Sequence, residues 1–381
     1  MARSGQNSRA RPARSGTDSG AGATLTVDLV AIVDNYRRVR DEAPGAETAA
    51  VVKADAYGLG MEQVAPALAE AGCQTFFVAL PREGVTLRRL LSTAEVAVFS
   101  GPDPSEARLY AEHRLTPVLN SLAQIEIWRQ ASLDQPAMLH LDTGMSRLGL
   151  TAGELSCLAA DPSLLDGVEV SAVMSHLACA DEPDHPLNRA QLEAFHAALT
   201  RLPASCGGAR ASLANSSGIF LGADFHFDLV RPGAALYGIA PQIGRANPLR
   251  QVVHLHAKIL QVRDVDSPMT VGYGATHRVS RAGRLATVAA GYADGYIRAL
   301  GNSGRAYIAG RPVPVVGRVS MDLTTVDVSD IPAELARPGG RVELIGEHAR
   351  TDDVAAEAGT IGYELLTGLG QRCDRVYRGE S

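Results

Sequence analysis

Lys53 closes the apolar run Val51-Val52 and is followed at once by Ala54-Asp55-Ala56-Tyr57-Gly58-Leu59-Gly60. At the carboxyl end of a strand, where α/β folds keep their chemistry, an amine held partly out of water loses some of its preference for charge. It can then act as a nucleophile and form a Schiff base with a carbonyl. A plain structural reading also exists, in which the lysine ends a buried strand by reaching water. Four further stretches place polar side chains after apolar runs: Asp142 and Arg147 in His140 to Arg147, His176 in Ser175-His176-Leu177, Asn215-Ser216-Ser217, and Arg231-Pro232-Gly233-Ala234. Taken singly, each reads equally as a surface ion pair, a structural histidine or a helix cap. Taken together as strand ends of one barrel, they converge on one mouth. The loops after strands seven and eight are then placed to hold a phosphate, with Ser216 and the Gly233 and Ala234 amides as donors.

Such convergence requires alternating strands and helices. Apolar runs at 48–53, 75–80, 94–100, 116–120, 136–142, 168–177, 211–215 and 227–231 alternate with helical patterns such as Glu62 to Ala71, Glu83 to Leu91, Ser105 to His113 and Asn188 to Leu202. Eight strands over about 200 residues predict an α/β fold of the (β/α)8 TIM-barrel kind. Beyond residue 240, short β-rich runs (252–265, 285–290, 305–308, 312–319, 323–328, 341–345) separated by Gly, Pro and Asp turns predict a mainly-β domain. The expected division is a disordered tail at 1–22, a barrel domain at 24–245 and a C-terminal β domain at 246–381. The tail is rich in Arg, Ser, Gly and Ala, and an organelle transit peptide is its alternative reading.

The 381-residue chain carries a net charge of −6 and five cysteines. The acidic balance argues against nucleic acid as a partner, and no apolar stretch approaches the length of a membrane span. Cys73, Cys157, Cys179, Cys206 and Cys373 are scattered and never paired as C-x-x-C. Neither a disulfide framework nor a zinc site is expected, and a reducing, cytoplasmic compartment is. His254-Leu255-His256 puts two imidazoles on one strand face without further ligand spacing, so no metal is expected. A Gly-x-Ser-x-Gly nucleophile elbow is absent, and Gly58-Leu59-Gly60 lacks the dinucleotide-binding spacing.

The Val51 to Gly60 stretch resembles the pyridoxal-phosphate lysine motif of alanine racemases, and the likeness covers roughly residues 24–378. The resemblance implies that Lys53 carries the cofactor as a Schiff base. It places Tyr57, Ser216, Gly233, Ala234 and Tyr363 (in Thr360-Ile361-Gly362-Tyr363-Glu364) at the phosphate, with Asn215 adjoining. Arg231 would face the pyridine nitrogen, His176 would support Arg231, and Arg147 would sit near the cofactor's phenolic oxygen and the substrate. A guanidinium keeps its protons, so the nitrogen opposite Arg231 would stay unprotonated and the cofactor would be a weaker electron sink. In the second domain, Val271-Gly272-Tyr273-Gly274-Ala275-Thr276 resembles the family's catalytic tyrosine motif. Gly291 to Tyr296 and Gly317 to Asp322 resemble its entrance and substrate-carboxylate segments, with Tyr292, Arg298 and Arg318 at the entrance and Met321 and Asp322 at the substrate.

Racemisation needs a base on each face of a planar carbanion. The resemblance implies that Lys53 abstracts a proton from the D enantiomer of alanine and Tyr273 from the L enantiomer. A free phenol, with a pKa near ~10, is a poor base at neutral pH, so His176 and Arg231 are the expected network drawing off its proton. The resemblance further implies a homodimer in which Tyr273 comes from the partner subunit, and a role in making D-alanine for peptidoglycan. One position departs from the family pattern. Many members have a carbamylated lysine two residues before Asp142, whereas this chain has His140. An imidazole cannot replace an anion, so Arg147 is expected to be held by a bound anion such as chloride or by another carboxylate. Leu59, where a histidine is common, is a smaller departure.

Three rivals remain open to the sequence. A broader racemase would turn over serine as well. A decarboxylase of the same architecture would need no second base. A non-catalytic pyridoxal-phosphate carrier would match the first domain only.

Overall fold

The computed structural model describes residues 22–379. The expected tail therefore lies, but for Gly22, outside the described residues. The first strand, β1 (Ala23–Asp28), leads directly into a helix, Leu29–Glu42, which starts where Asp28 accepts the Ala31 N–H at 2.8 Å. That side-chain acceptor satisfies one of the donors a helix start leaves open.

The barrel follows. Its strands are β2 (Glu47–Thr48), β3 (Ala50–Val51), β4 (Thr75–Val78), β5 (Glu95–Val98), β6 (Thr116–Leu119), β7 (Ala137–His140), β8 (Val170–Met174), β9 (Arg210–Ser212) and β10 (Leu229–Val230). β3 to β9 form one seven-stranded parallel sheet in sequence order, and β2 pairs with β10. β2 and β3 thus act as one strand interrupted at Ala49. The eighth strand returns to it through Val51 N–H donating to the Pro232 carbonyl at 2.9 Å. All eight expected strand positions are occupied, each shorter than its apolar run, because the run's last residues turn into the loops that build the mouth.

Side-chain alternation sorts the core. Phe77, Ala97, Val118, Met138, Ala172 and Leu229 fill the barrel interior. Their chain neighbours Phe76, Val96, Leu119, Leu139 and Val173 face the helical layer. Because successive strand residues point to opposite faces, both sides must be apolar, and the runs read as continuous rather than alternating. Each fully buried Val, Leu, Phe or Met among them contributes roughly 1.5–3 kcal/mol. At the amino ends of the strands, Arg210 bridges Glu47 at 2.6 Å and Glu95 at 2.7 Å. That end of the barrel is closed by charge pairs, and the opposite end is left for chemistry.

The second sheet has eight strands and is organised around β11 (Val253–Val265). β11 pairs antiparallel with β1, with Gly283–Val288 and with Arg341–Ile345. The expected β-rich runs are present, as is the short helix at Thr351–Glu357. Two strands of this sheet lie where none was expected, β1 and Asp374–Arg378, which pair parallel to each other; a further unexpected pair, Thr270–Val271 with His277–Arg278, forms a small sheet of its own. The described residues therefore begin in the second sheet before entering the barrel, through a pairing whose partners are more than 200 residues apart in sequence (Leu25 with Leu255, for example).

Candidate active site

The turn after β3 sets the position of Lys53. Ala54, Asp55, Ala56 and Tyr57 have φ of 53°, 55°, 53° and 57°, four successive non-glycine residues in the left-handed region. Such residues cost roughly 1–2 kcal/mol each, so their surroundings must enforce the conformation. Ala56 N–H donates back to the Val52 carbonyl at 2.9 Å, and the Asp55 carboxylate accepts the Met61 N–H at 2.7 Å. The Glu83 carboxylate accepts the Ala54 N–H at 2.7 Å. The turn folds Lys53 into a cavity of about 810 Å³ at the carboxyl ends of the strands, with Nζ 5.8 Å above the Phe99 ring. Burial, and next the Arg147 charge, push the Lys53 ammonium below its ordinary range, with Glu83 opposing.

The same cavity is lined by Tyr57, Arg147, His176, Asn215, Ser216, Arg231, Gly233, Ala234 and Tyr363. Every barrel residue singled out for the cofactor is therefore in one place, together with a tyrosine from the Gly362–Thr367 helix of the second half. The Ser216 hydroxyl accepts the N–H groups of Gly233 at 2.9 Å and Ala235 at 3.1 Å, which leaves its own proton to donate. A Cβ on Gly233 would lie 2.4 Å from the Tyr57 Oη, so only glycine lets that phenol settle there. Tyr57 packs against Tyr237 at 4.7 Å between ring centroids and meets Tyr363 edge-on at 6.4 Å. Its phenol is pushed up by burial.

Arg231 is 2 % exposed. Its Nη1 donates to the Ser212 hydroxyl, and Nη2 donates to the carbonyls of Ser175 at 2.5 Å and Leu213 at 3.4 Å. Its Nε–H is buried without a partner. Burial pushes the guanidinium down to about 9, which leaves it charged at neutral pH. His176 Nε2 lies 3.5 Å from Asn215 Nδ2. Burial and the nearby Arg231 charge hold His176 well below its ordinary value, hence neutral. His140 is neutral too, pushed down to about 4 by burial first. Its Nδ1 lies 2.8 Å from Asn120 Oδ1, an acceptor that fixes the proton on Nδ1.

Among the described residues, Lys53, Arg147 and Arg231 form no ion pair with a carboxylate. Asp142, five residues before Arg147, accepts instead from the N–H groups of Gly144, Met145 and Ser146. The carboxylate alternative for holding Arg147 therefore has no residue to supply it among those described.

The second-domain residues are elsewhere. Tyr273 is 73 % exposed. It lines a separate cleft of about 500 Å³ with Arg318, Met269 and Leu323, a cleft that shares no residue with the Lys53 cavity. Around it, Tyr292 N–H donates to the Ser320 carbonyl at 3.1 Å and Ala293 N–H to the Met321 carbonyl at 3.0 Å. The two glycine-flanked segments are thus one surface. Arg298 and Met321 are exposed on that face, and Asp322 is fixed by Arg372 at 2.7 Å. Arg372 also reaches Asp294 at 3.4 Å. The sequence reading missed Arg372, Glu83, Asn120 and Tyr237. Glu83 alone carried a local signal, standing two residues after Pro81 at a helix start, where an acidic side chain caps.

A closed (β/α)8 barrel joined to a β domain, with a desolvated lysine in a cationic, hydroxyl-rich mouth, defines a site for an anionic carbonyl compound. Known sequences agree with that class. The family model "Alanine racemase, N-terminal domain" matches residues 27–241, and "Alanine racemase, C-terminal domain" matches 252–377. An alanine racemase of Rhodospirillum rubrum is 53% identical over 370 residues, 96% of this chain and 98% of that protein. A catabolic alanine racemase of Agrobacterium fabrum is 48% identical, covering 94% of this chain and 92% of its own. The crystal structure of the Bartonella henselae alanine racemase with covalently bound pyridoxal phosphate superimposes with a TM-score of 0.89 at 42% identity, covering 94% of this chain and 99% of that one. The chain belongs to the alanine racemase family.

Proposed function

We propose that this protein interconverts L-alanine and D-alanine with pyridoxal phosphate held by Lys53, and that it does so as a homodimer. The observation carrying this reading is the convergence of Lys53, Arg147 and Arg231 on one cavity, with no carboxylate paired to any of them among the described residues. An anionic cofactor and the substrate's carboxylate would answer those charges. The detail fits as well. The unpartnered Nε–H of Arg231 suits a neutral ring nitrogen. The free proton of Ser216, the Ala234 amide and the phenols of Tyr57 and Tyr363 suit a phosphate, whereas the Gly233 amide, expected as a donor there, is given to the Ser216 hydroxyl instead. The lowered Lys53 amine suits covalent capture of an aldehyde.

When bound, pyridoxal phosphate supplies an electron sink for the charge that develops at the substrate's Cα. The protein does the rest. Lys53 Nζ takes and returns the Cα proton on the face of the D enantiomer, a task helped by its desolvation. Tyr273 Oη does so on the opposite face, from the partner subunit. Neutral His176 is the group that can take up its proton, with the Arg231 charge acting on that imidazole through space. Arg147 is positioned for the substrate side, and in the absence of an acidic partner we infer that a bound anion holds it. Met321 and Asp322, the latter braced by Arg372, belong to the substrate segment. Tyr292, Arg298 and Arg318 belong to the entrance.

The wide exposure of Tyr273 supports a shared site, since Met269, Met321 and Leu323 are exposed beside it. A second copy covering this face would bring Tyr273 to a Lys53 cavity. We retain a boundary near residue 245, with β1 counted in the second sheet, and place the enzyme in the cytoplasm supplying D-alanine for the cell wall. No described helix is long and apolar enough to cross a membrane.

The direct test is incubation with pyridoxal phosphate and L-alanine in heavy water. D-alanine on chiral chromatography, with deuterium at Cα by NMR, is the expected result. Deuteration without D-alanine would mean that only one face has a base. Carbon dioxide release would favour a decarboxylase, and faster turnover of serine a broader racemase.

A further inference from the structure

We propose that Glu83 is a positioning residue for Lys53, clamping the left-handed turn that aims it into the cavity. Its carboxylate lies between two backbone segments. Oε1 accepts the Ala54 N–H at 2.7 Å, and Oε2 accepts the N–H groups of Ala79 at 2.8 Å and Leu80 at 3.0 Å. The latter two belong to the loop after β4 that starts the Pro81–Leu90 helix. One side chain therefore ties the turn after β3 to the helix start after β4, across 29 positions of sequence. The Ala54 N–H is the first donor of the turn, immediately after Lys53. The next four residues, Ala54 to Tyr57, are the left-handed ones. None of them is glycine, so the turn persists only under external restraint. Glu83 supplies it at the turn's start, where the chain would otherwise relax and swing the lysine out.

A carboxylate suits this task because it offers acceptors on two oxygens. A glutamine offers one oxygen and must turn an NH2 donor toward a backbone N–H. Glu83 also adds a negative charge near a lysine whose surroundings are otherwise cationic, opposing the effect of burial.

This inference rests on Lys53 being the cofactor lysine, and the test separates the two claims. Cofactor-free wild type, Glu83→Gln, Ala54→Gly and the double variant are titrated with pyridoxal phosphate, reduced with borohydride, and peptide-mapped for the adduct. Glu83→Gln is expected to weaken cofactor binding and adduct formation at Lys53 by about 10- to 100-fold. Ala54→Gly, which removes the Cβ penalty of the left-handed conformation, is expected to bind normally and to restore most of that loss in the double variant. A Glu83 that only caps its own helix would lose the same factor in both backgrounds, and that outcome overturns the proposal. So does Glu83→Gln binding like wild type. A wild-type adduct at some lysine other than Lys53 overturns the functional reading and the clamp with it. Thermal unfolding of each cofactor-free protein verifies folding. Should Glu83→Gln not fold, Glu83→Asp, too short to span both segments, is carried through the same cycle with the same expected loss and rescue.

Discussion

Arg231 Nη2 donates to the Ser175 carbonyl oxygen at 2.5 Å, so a buried guanidinium is anchored by backbone and hydroxyl oxygens rather than by a carboxylate. A carboxylate partner would neutralise the charge, whereas neutral acceptors hold its direction and leave its field available. Ser212 is the pivot, because its hydroxyl accepts from Arg231 and donates to the Leu229 carbonyl at 2.5 Å. Replacing Ser212 by Ala strands buried polar groups on both sides. Urea unfolding of the cofactor-free protein should show a loss of about 1–3 kcal/mol, and an unchanged midpoint would mean that Arg231 is held by the carbonyls alone.

Gly233 offers a steric test of the phosphate end. Its φ of −123° lies outside the left-handed region. An added methyl would instead meet Tyr57 Oη at 2.4 Å and Val51 Cβ at 3.3 Å. Gly233→Ala should displace Tyr57 and weaken pyridoxal phosphate binding by about tenfold or more, with a folding cost of roughly 1–3 kcal/mol. Equilibrium dialysis and thermal melts separate the two effects. Wild-type cofactor affinity in this variant would remove Tyr57 and Gly233 from the phosphate site.

Lys53 links the site to stability. Its folded pKa lies below the unfolded value near ~10.4, so between the two the unfolded chain binds more protons and stability rises with pH. Below the folded pKa the cost of holding the ammonium is fully present. Lys53→Met should therefore stabilise the cofactor-free protein at neutral pH. Its advantage should shrink as pH climbs through the depressed folded pKa toward the ordinary lysine range. Urea midpoints measured against pH check this, and an advantage that does not change with pH would show that Lys53 titrates normally.

Much of this architecture was legible because barrel strands are written locally. Each is a short apolar run, and Lys53, His140, His176 and Arg231 stand where such runs end. The pairing of β1 with β11 was not, since Ala23–Asp28 carries no signal naming a partner more than 200 residues away. Nor was the left-handed turn, because Ala54 to Tyr57 contains no glycine to announce a positive φ and the conformation is imposed from Glu83 and Asp55. The family resemblance pointed to His176 as the support of Arg231, while the guanidinium's hydrogen bonds go to Ser175, Ser212 and Leu213. Tyr273 has a readable motif, yet it lines a cleft separate from the Lys53 cavity, and the proposed assembly of two subunits is what would bring the two together.

That assembly gives the most direct test of the account, which assigns the two bases of one active site to Lys53 of one subunit and Tyr273 of its partner. Lys53→Ala and Tyr273→Phe proteins, each inactive as a racemase, are unfolded together, refolded as a mixture and assayed for conversion of L-alanine to D-alanine. A shared site predicts that half the dimers are mixed and that each of these has one intact site, so about a quarter of the wild-type rate returns. A mixture as inactive as its parents, with mixed dimers verified by mass, would contradict a site built from two subunits.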